Sequence, residues 1–335
     1  MDLKAVAKVD LHRHLEGAIR LQTLIDLYRE AGHPLPESTP AELADRAQVL
    51  RPMASLEAVL GRFALAQGAF FDVGAAERIA FEAVEDLAAD GVRLAELRFS
   101  PEFLCLPQGL DWDGAMAAIV RGVERGARTF DVAVGLIAIA SRNYGMGSAE
   151  RTAAFALRHR DHLVAFDLAG EEQAYPPSLY ADVVSSLAGS GLRLTTHYGE
   201  SGGPAFPREA VEVLGSERLG HGVSVAEDPE VTALIRDRGV TLEMCPTSNV
   251  RTHAVTDLPH HPARRLLDQD VSVTINTDNP GLFAVDLTGE LEACVEHLGF
   301  SDDDLRRVTA NAIDASFLDD STKADVRRRH FGWVG

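Results

Sequence analysis

Eight short apolar and β-branched runs recur along the chain, and each ends in polar or charged residues. Val271-Ser-Val-Thr-Ile-Asn-Thr-Asp278-Asn is the clearest, stopped by Pro280-Gly281. A run of this kind predicts a buried parallel strand that presents a carboxylate at its C-terminal end. The other stretches, polar tails included, are Lys8–His14, Val92–Pro101, Val132–Ala140, Leu163–Glu172, Leu192–Glu200, Arg218–Gly222 and Val240–Asn249. Between them the apolar spacing turns helical. Leu21, Leu24, Ile25 and Leu27 mark one face of a helix over Ile19–Ala31. Residues 37–90 read as further helix, broken at Pro40 and Pro52. Helices are also predicted near Trp112–Phe130, Ala149–His159, Ser178–Ala188, Pro207–Leu214, Pro229–Arg238 and Pro262–Gln269, with Leu287–Leu298 and Asp302–Phe317 closing the chain. Strands alternating with helices predict parallel βαβ units, and eight units fit a closed (β/α)₈ TIM barrel spanning residues 1–335 as one domain. An open doubly wound sheet would gather its chemistry at one switch point. Here polar residues follow nearly every strand, which favours the barrel.

Composition narrows the partners. The 335 residues carry a formal net charge of −19, which argues against a nucleic-acid scaffold or an anionic membrane surface. Three cysteines, Cys105, Cys245 and Cys294, form no C-x-x-C pair, so reduced thiols and a cytoplasmic location are expected. No window approaches the roughly 20 apolar residues of a membrane span.

The strand ends carry the candidate chemistry. His12 and His14 are two apart on a strand, so their side chains face the same way. A barrel turns His197 and Asp278, at two other strand ends, toward the same mouth. Such a set of imidazoles and a carboxylate suits one zinc ion, with a position left for water. Glu200 and His221 are the candidates for moving protons, and Gly220 and Gly222 allow close approach to His221. Glu96 and Arg98 read as a buried ion pair, Cys245 as a core thiol, and His253, His260 and His261 as surface residues, like the scattered His33, His159, His162, His297 and His330. The acidic run after Ser301 reads as a helix N-terminus.

Taken together, His12-Arg-His14-Leu-Glu-Gly17, Glu96-Leu-Arg-Phe-Ser-Pro101, Asp167-Leu-Ala-Gly170-Glu-Glu, His197-Tyr-Gly-Glu200, Gly220-His221-Gly222, Cys245-Pro-Thr-Ser-Asn249 and Asn276-Thr-Asp278 resemble, in order, the motifs of the adenosine deaminases of the amidohydrolase superfamily. The resemblance runs from about residue 8 to 285. It implies zinc-dependent hydrolytic deamination of an aminopurine, with zinc on His12, His14, His197 and Asp278. His221 would help deprotonate and orient the attacking water. Glu200 would protonate the purine ring nitrogen beside the reacting carbon, and Gly170 would offer its N–H to another ring nitrogen. Three positions depart from the family pattern. Glu16 replaces the Asp that meets the ribose 5′ hydroxyl, Tyr198 replaces a small residue, and Asn279 replaces an Asp that meets the purine. Glu16 and Tyr198 are expected to crowd the 5′ end of a nucleoside, with His14 beside them. The substrate expected is adenosine or 2′-deoxyadenosine, with adenine or aminodeoxyfutalosine as alternatives. A non-catalytic binding relative would have lost a ligand or the acid, and all are present.

Overall fold

The computed structural model describes residues 1–53, 59 and 61–334. Eight parallel strands form one sheet in sequence order: β1 (Lys8–His14), β2 (Val92–Phe99), β3 (Ala133–Ser141), β4 (Ala165–Ala169), β5 (Arg193–Tyr198), β6 (Arg218–His221), β7 (Thr241–Met244) and β8 (Ser272–Ile275). The sheet closes on itself just past β8. Asp278 N–H donates to the His12 carbonyl at 2.8 Å, and the Asp278 carbonyl accepts from His14 N–H at 2.8 Å. The side chain of Asn276 adds a third tie, its Oδ1 accepting from Leu11 N–H at 2.9 Å. The fold is therefore the (β/α)₈ TIM barrel that the alternation predicts.

The helix over Trp112–Phe130 matches its expected bounds, and the Asp111 side chain caps it at Gly114 N–H. It packs against Val73–Ala89. A Cβ at Gly126 would stand 2.8–3.3 Å from the Val84 side chain, so glycine lets the two helices approach. The excursion between β1 and β2 contains helices Leu21–Glu30, Pro40–Ala47, Ala64–Gly68 and Val73–Ala89. The part of that prediction falling on residues 54–58 and 60 lies outside the described residues.

One closing helix, Asp320–His330, is absent from the sequence reading. Only Val326 on it is buried, and a helix polar nearly all round leaves no periodic signal. Short helical turns also follow β2 at Pro101–Cys105 and β7 at Pro246–Arg251, and Pro280–Phe283 follows β8 after residues 276–279. Each has proline at its first helical position, where the missing N–H removes no helical bond. Among the described residues, no helix is long and apolar enough to cross a membrane.

Candidate active site

Strand alternation turns His12 and His14 into the barrel mouth, and His197 meets them from the end of β5. His12 is fully buried. Its Nδ1 lies 2.8 Å from Glu243 Oε2, and its Nε2 has no hydrogen-bond partner. His197 is held the same way, with Nδ1 3.1 Å from Asp167 Oδ1. Carboxylates on Nδ1 leave Nε2 of both rings facing the same space. His14 Nε2 stands 3.2 Å from His197 Nε2 and 3.2 Å from Asp278 Oδ1, and His12 Nε2 lies 3.5 Å from the same oxygen. Gly220 makes room, since a Cβ there would stand 3.0–3.1 Å from the rings of His12 and His197.

Asp278 has φ 60°, a left-handed conformation that aspartate tolerates better than most residues. Its backbone closes the barrel, so the carboxylate is fixed to the strand that carries His12 and His14. Ser248 Oγ donates to its Oδ2 at 2.6 Å, and Asn279 Nδ2 donates to its Oδ1 at 2.6 Å. Burial pushes the Asp278 carboxyl up, but the His12 and His14 rings beside it outweigh burial and hold the group well below the usual carboxylate range. Burial pushes the His12 imidazole down and the His197 imidazole well down. Neutral imidazoles and an ionised carboxylate are the protonation states a cation needs in its ligands. A buried ring nitrogen without a partner, converging with two more imidazoles and a fixed carboxylate oxygen, fits a metal ion. His12, His14 and Asp278 could hold one, with His197 in contact; His12, His197 and His221 form an overlapping group.

Beside this cluster lies a cavity of about 330 Å³, within the range of small-molecule sites. Val59, Phe63, Phe103, Ile139 and Phe283 make its apolar wall. His14, Glu16, Gly170, Glu200, His221, Asp278 and Asn279 make the polar wall, so the sequence-derived candidates converge, with His12 seated just behind. Burial and the Asp278 charge push the Glu200 carboxyl up to about 8. Its Oε2 stands 3.5 Å from His221 Nε2, and its Oε1 has no partner. His221 has φ 63°, a conformation sparsely used by non-glycine residues, and burial pushes its imidazole down. Glu16 Oε1 accepts from Ser100 N–H at 2.6 Å, while Oε2 is buried without a partner. Asn279 Oδ1 is likewise unpartnered. Gly170 has φ 95°, and its carbonyl accepts from Arg142 Nη2 at 2.6 Å.

Several residues sit differently from expectation. Tyr198 does not line the cavity. It follows His197 on β5, so alternation sends it outward, where it is fully buried between Arg142 and Phe206, with its hydroxyl donating to the Tyr175 carbonyl at 3.0 Å. Glu96 and Arg98 are both buried but do not pair with each other. Arg98 reaches Asp167 at 2.9 Å and Glu243 at 2.7 Å, while Glu96 pairs with Arg218. His261 is 3 % exposed and hydrogen-bonded to Asn249, whereas His253 and His260 are exposed as expected. Cys245 is buried, as a core thiol should be. Sequence reasoning missed Glu243 and Arg142, which touch functional candidates only through the fold. Asp167 and Ser248 were legible as motif members and not as the partners of His197 and Asp278.

A sequence profile for adenosine deaminase matches residues 7–330. An adenosine deaminase from Shewanella loihica is 35% identical over 319 residues, covering 95% of this chain and 96% of that one. The crystal structure of an adenine deaminase from Arthrobacter aurescens superposes with a TM-score of 0.88 at 28% identity, covering 98% of each chain. An amidohydrolase from Burkholderia ambifaria, solved with bound Zn, gives a TM-score of 0.88 at 28% identity, covering 99% of this chain and 91% of that one. The match extends from β1 through the last helix, and this chain, a hydrolytic aminohydrolase of purines, belongs to the adenosine deaminase family.

Proposed function

We propose that the protein hydrolyses the 6-amino group of purine nucleosides, with adenosine and 2′-deoxyadenosine among its good substrates, and that it works with one zinc ion. The observation that carries this reading is geometric: His12, His14, His197 and Asp278 converge beside a cavity whose wall also holds Glu200, set 3.5 Å from His221. Burial pushes the Glu200 carboxyl up. A carboxyl that keeps its proton near neutral pH is a general acid.

His12, His14, His197 and Asp278 would hold the zinc, which acidifies water to a pKa of about 7 and so supplies a nucleophile at neutral pH. Glu200 donates its proton to the ring nitrogen beside the amino-bearing carbon, making that carbon accept the water oxygen. The carboxylate then takes one proton from the water oxygen as it bonds the carbon and passes it to the departing amine; as the carbon–nitrogen bond breaks and the carbonyl forms, it takes the second, so Glu200 is protonated again and ammonia and a 6-oxopurine are released. His221 orients the attacking water. Gly170 offers its N–H to a second ring nitrogen. Asn279 spends one N–H on Asp278 and keeps the other for the purine's imidazole side. An amide donates without any protonated partner, which suits a neutral purine. The apolar wall around Phe63, Phe103 and Phe283 faces the rings. Glu16 Oε2, lacking a partner, takes a sugar hydroxyl.

The longer Glu16 supports a second reading, in which the preferred aminopurine differs beyond the base: adenine, as the name of the Arthrobacter relative suggests, or aminodeoxyfutalosine. The test is kcat/KM for adenosine, 5′-deoxyadenosine, adenine and aminodeoxyfutalosine, in wild type and Glu16→Asp. Adenosine should exceed 5′-deoxyadenosine by about 10-fold or more, because deleting the hydroxyl strands a buried carboxylate oxygen. If adenosine is at least about 10²-fold worse than another substrate and Glu16→Asp restores it, the substrate assignment is wrong and the chemistry stands.

A further inference from the structure

Behind His221, a chain of buried hydrogen bonds leads away from the cavity. Ala263 N–H donates to His261 Nδ1 at 3.2 Å. His261 Nε2 lies 3.1 Å from Asn249 Oδ1, and Asn249 Nδ2 lies 3.0 Å from His221 Nδ1. His221 Nε2 then faces Glu200 Oε2 at 3.5 Å.

The direction of every link follows from the first. A backbone N–H can only donate, so His261 Nδ1 must present a lone pair. Burial holds His261 neutral, with its imidazole pushed down to about 3, so its single proton is on Nε2. That N–H needs an acceptor, and the Asn249 side chain has only Oδ1 to offer. The amide orientation is thereby fixed, and Nδ2 faces His221 and can only donate. The reverse amide would set two N–H groups against each other at the His261 end. His221 Nδ1 must therefore carry a lone pair, and the proton of the neutral ring sits on Nε2, toward Glu200.

We propose that His261, acting through Asn249, is a positioning residue that sets the tautomer of His221, so that His221 meets the cavity as an N–H donor and not as a proton acceptor. Its catalytic consequence rests on the deaminase reading above. An Nε2–H can hold the lone pair of the attacking water or the Glu200 carboxylate, but it cannot take the water's proton. Proton transfer then falls to Glu200 alone, and the role in deprotonation that the family resemblance implies for His221 reduces to orientation.

Long-range ¹H–¹⁵N NMR of the zinc-loaded full-length enzyme, labelled at histidine nitrogens, reads the tautomer directly. His221 signals are assigned by their loss in His221→Gln. Wild type should show a bare Nδ1 and a protonated Nε2. In Asn249→Asp, a near-isosteric change, the carboxylate accepts from both rings, and the His221 proton should move to Nδ1. In the serine protease triad the wrong histidine tautomer lowers kcat by up to about 10⁴-fold. Here Asn249→Asp and His261→Leu should each lower kcat at least about 10-fold with KM little changed, and His261→Gln, which keeps a donor, should recover most of the loss. A proton on Nδ1 of wild-type His221, or an unchanged pattern in Asn249→Asp, overturns the relay. The expected pattern in an enzyme that releases no ammonia from any aminopurine would overturn the functional reading instead.

Discussion

Two layers of buried polar groups share the interior of this barrel, and they differ in how fully they are partnered. The inner layer is Glu96, Arg98, Asp167, Arg218 and Glu243, all essentially without exposure. Each of its carboxylate oxygens has a donor. Glu243 takes Thr195, Arg98 and His12 and pairs in charge with Arg218; Asp167 takes His197 and Arg98; Glu96 takes Ser316, Phe317 and Arg218, and only Nε of Arg98 and of Arg218 in this layer is without a hydrogen-bond partner. The mouth layer is left open. His12 Nε2, Glu16 Oε2, Glu200 Oε1, Thr252 Oγ1 and Asn279 Oδ1 are buried without partners. Buried polar groups are nearly always satisfied, so five exceptions around one cavity fit a place where a ligand binds. The inner layer explains how the open valences persist. It holds His12 and His197 by Nδ1, as carboxylates behind metal-ligating histidines do, and leaves Nε2 free.

The difference predicts opposite consequences of mutation. The largest effect should come from the mouth. His14 reaches Asp278 and His197 through Nε2 and rests on no carboxylate behind it. His14→Ala should lose bound zinc and essentially all deamination, while the metal-free protein unfolds at nearly the wild-type temperature. Metal analysis and melting curves together check this, and full zinc occupancy in the variant contradicts it. A change in the inner layer should act on the fold. Burial pushes the Glu243 carboxyl up, but Arg98 and Arg218 outweigh it and hold the group well below the usual carboxylate range. Glu243→Gln leaves buried Arg98 and Arg218 with one carboxylate each, Asp167 and Glu96, in place of two, and breaking a buried pair costs about 3–5 kcal/mol. Denaturant unfolding of the metal-free variant measures it, and a loss under about 1 kcal/mol would show that the layer is not a closed network.

The smallest predicted effect is on pH dependence. The His261 imidazole is pushed down to about 3 by burial, against about 6.5 when unfolded. Below 6.5 the unfolded chain takes a proton that the folded chain refuses. The His261 contribution is therefore complete above pH 6.5 and is lost as pH falls toward 3. Buried His12, His197 and His221 act in the same direction. One proton corresponds to a slope of about 1.4 kcal/mol per pH unit. His261→Gln should remove about that much from the acid slope of metal-free stability between roughly pH 6 and 4. An unchanged slope would show that His261 titrates normally in the folded protein.

Much of this was legible in the sequence, for identifiable reasons. The barrel shows because parallel strands are apolar on both faces and their polar ends stand out against that background. His12 and His14 show because an i, i+2 pair on a strand has one geometric meaning. The same rule applied one residue past His197 would have turned Tyr198 away from the mouth. The Glu96–Arg98 reading failed on the same rule from the other side. Both residues face inward, but each finds its partner across the barrel, on β4, β6 or β7. Glu243 and Arg142 were invisible because a single charge in a strand or turn does not say which ring or carbonyl it will meet. His261 was hidden among loop histidines, and its one local signal is its place before Pro262-Ala263, where its ring accepts from a helix-start N–H.

In the proposed mechanism Glu200 alone moves protons in an otherwise intact mouth. Glu200→Gln keeps the shape and removes the transferable proton. The direct measurement is kcat for ammonia release from adenosine, with zinc content determined on the same preparation. The account predicts about one zinc per chain and a loss of at least about 10²-fold in kcat. Zinc retained with a kcat within about threefold of wild type, far short of what a positioned acid contributes, would contradict it.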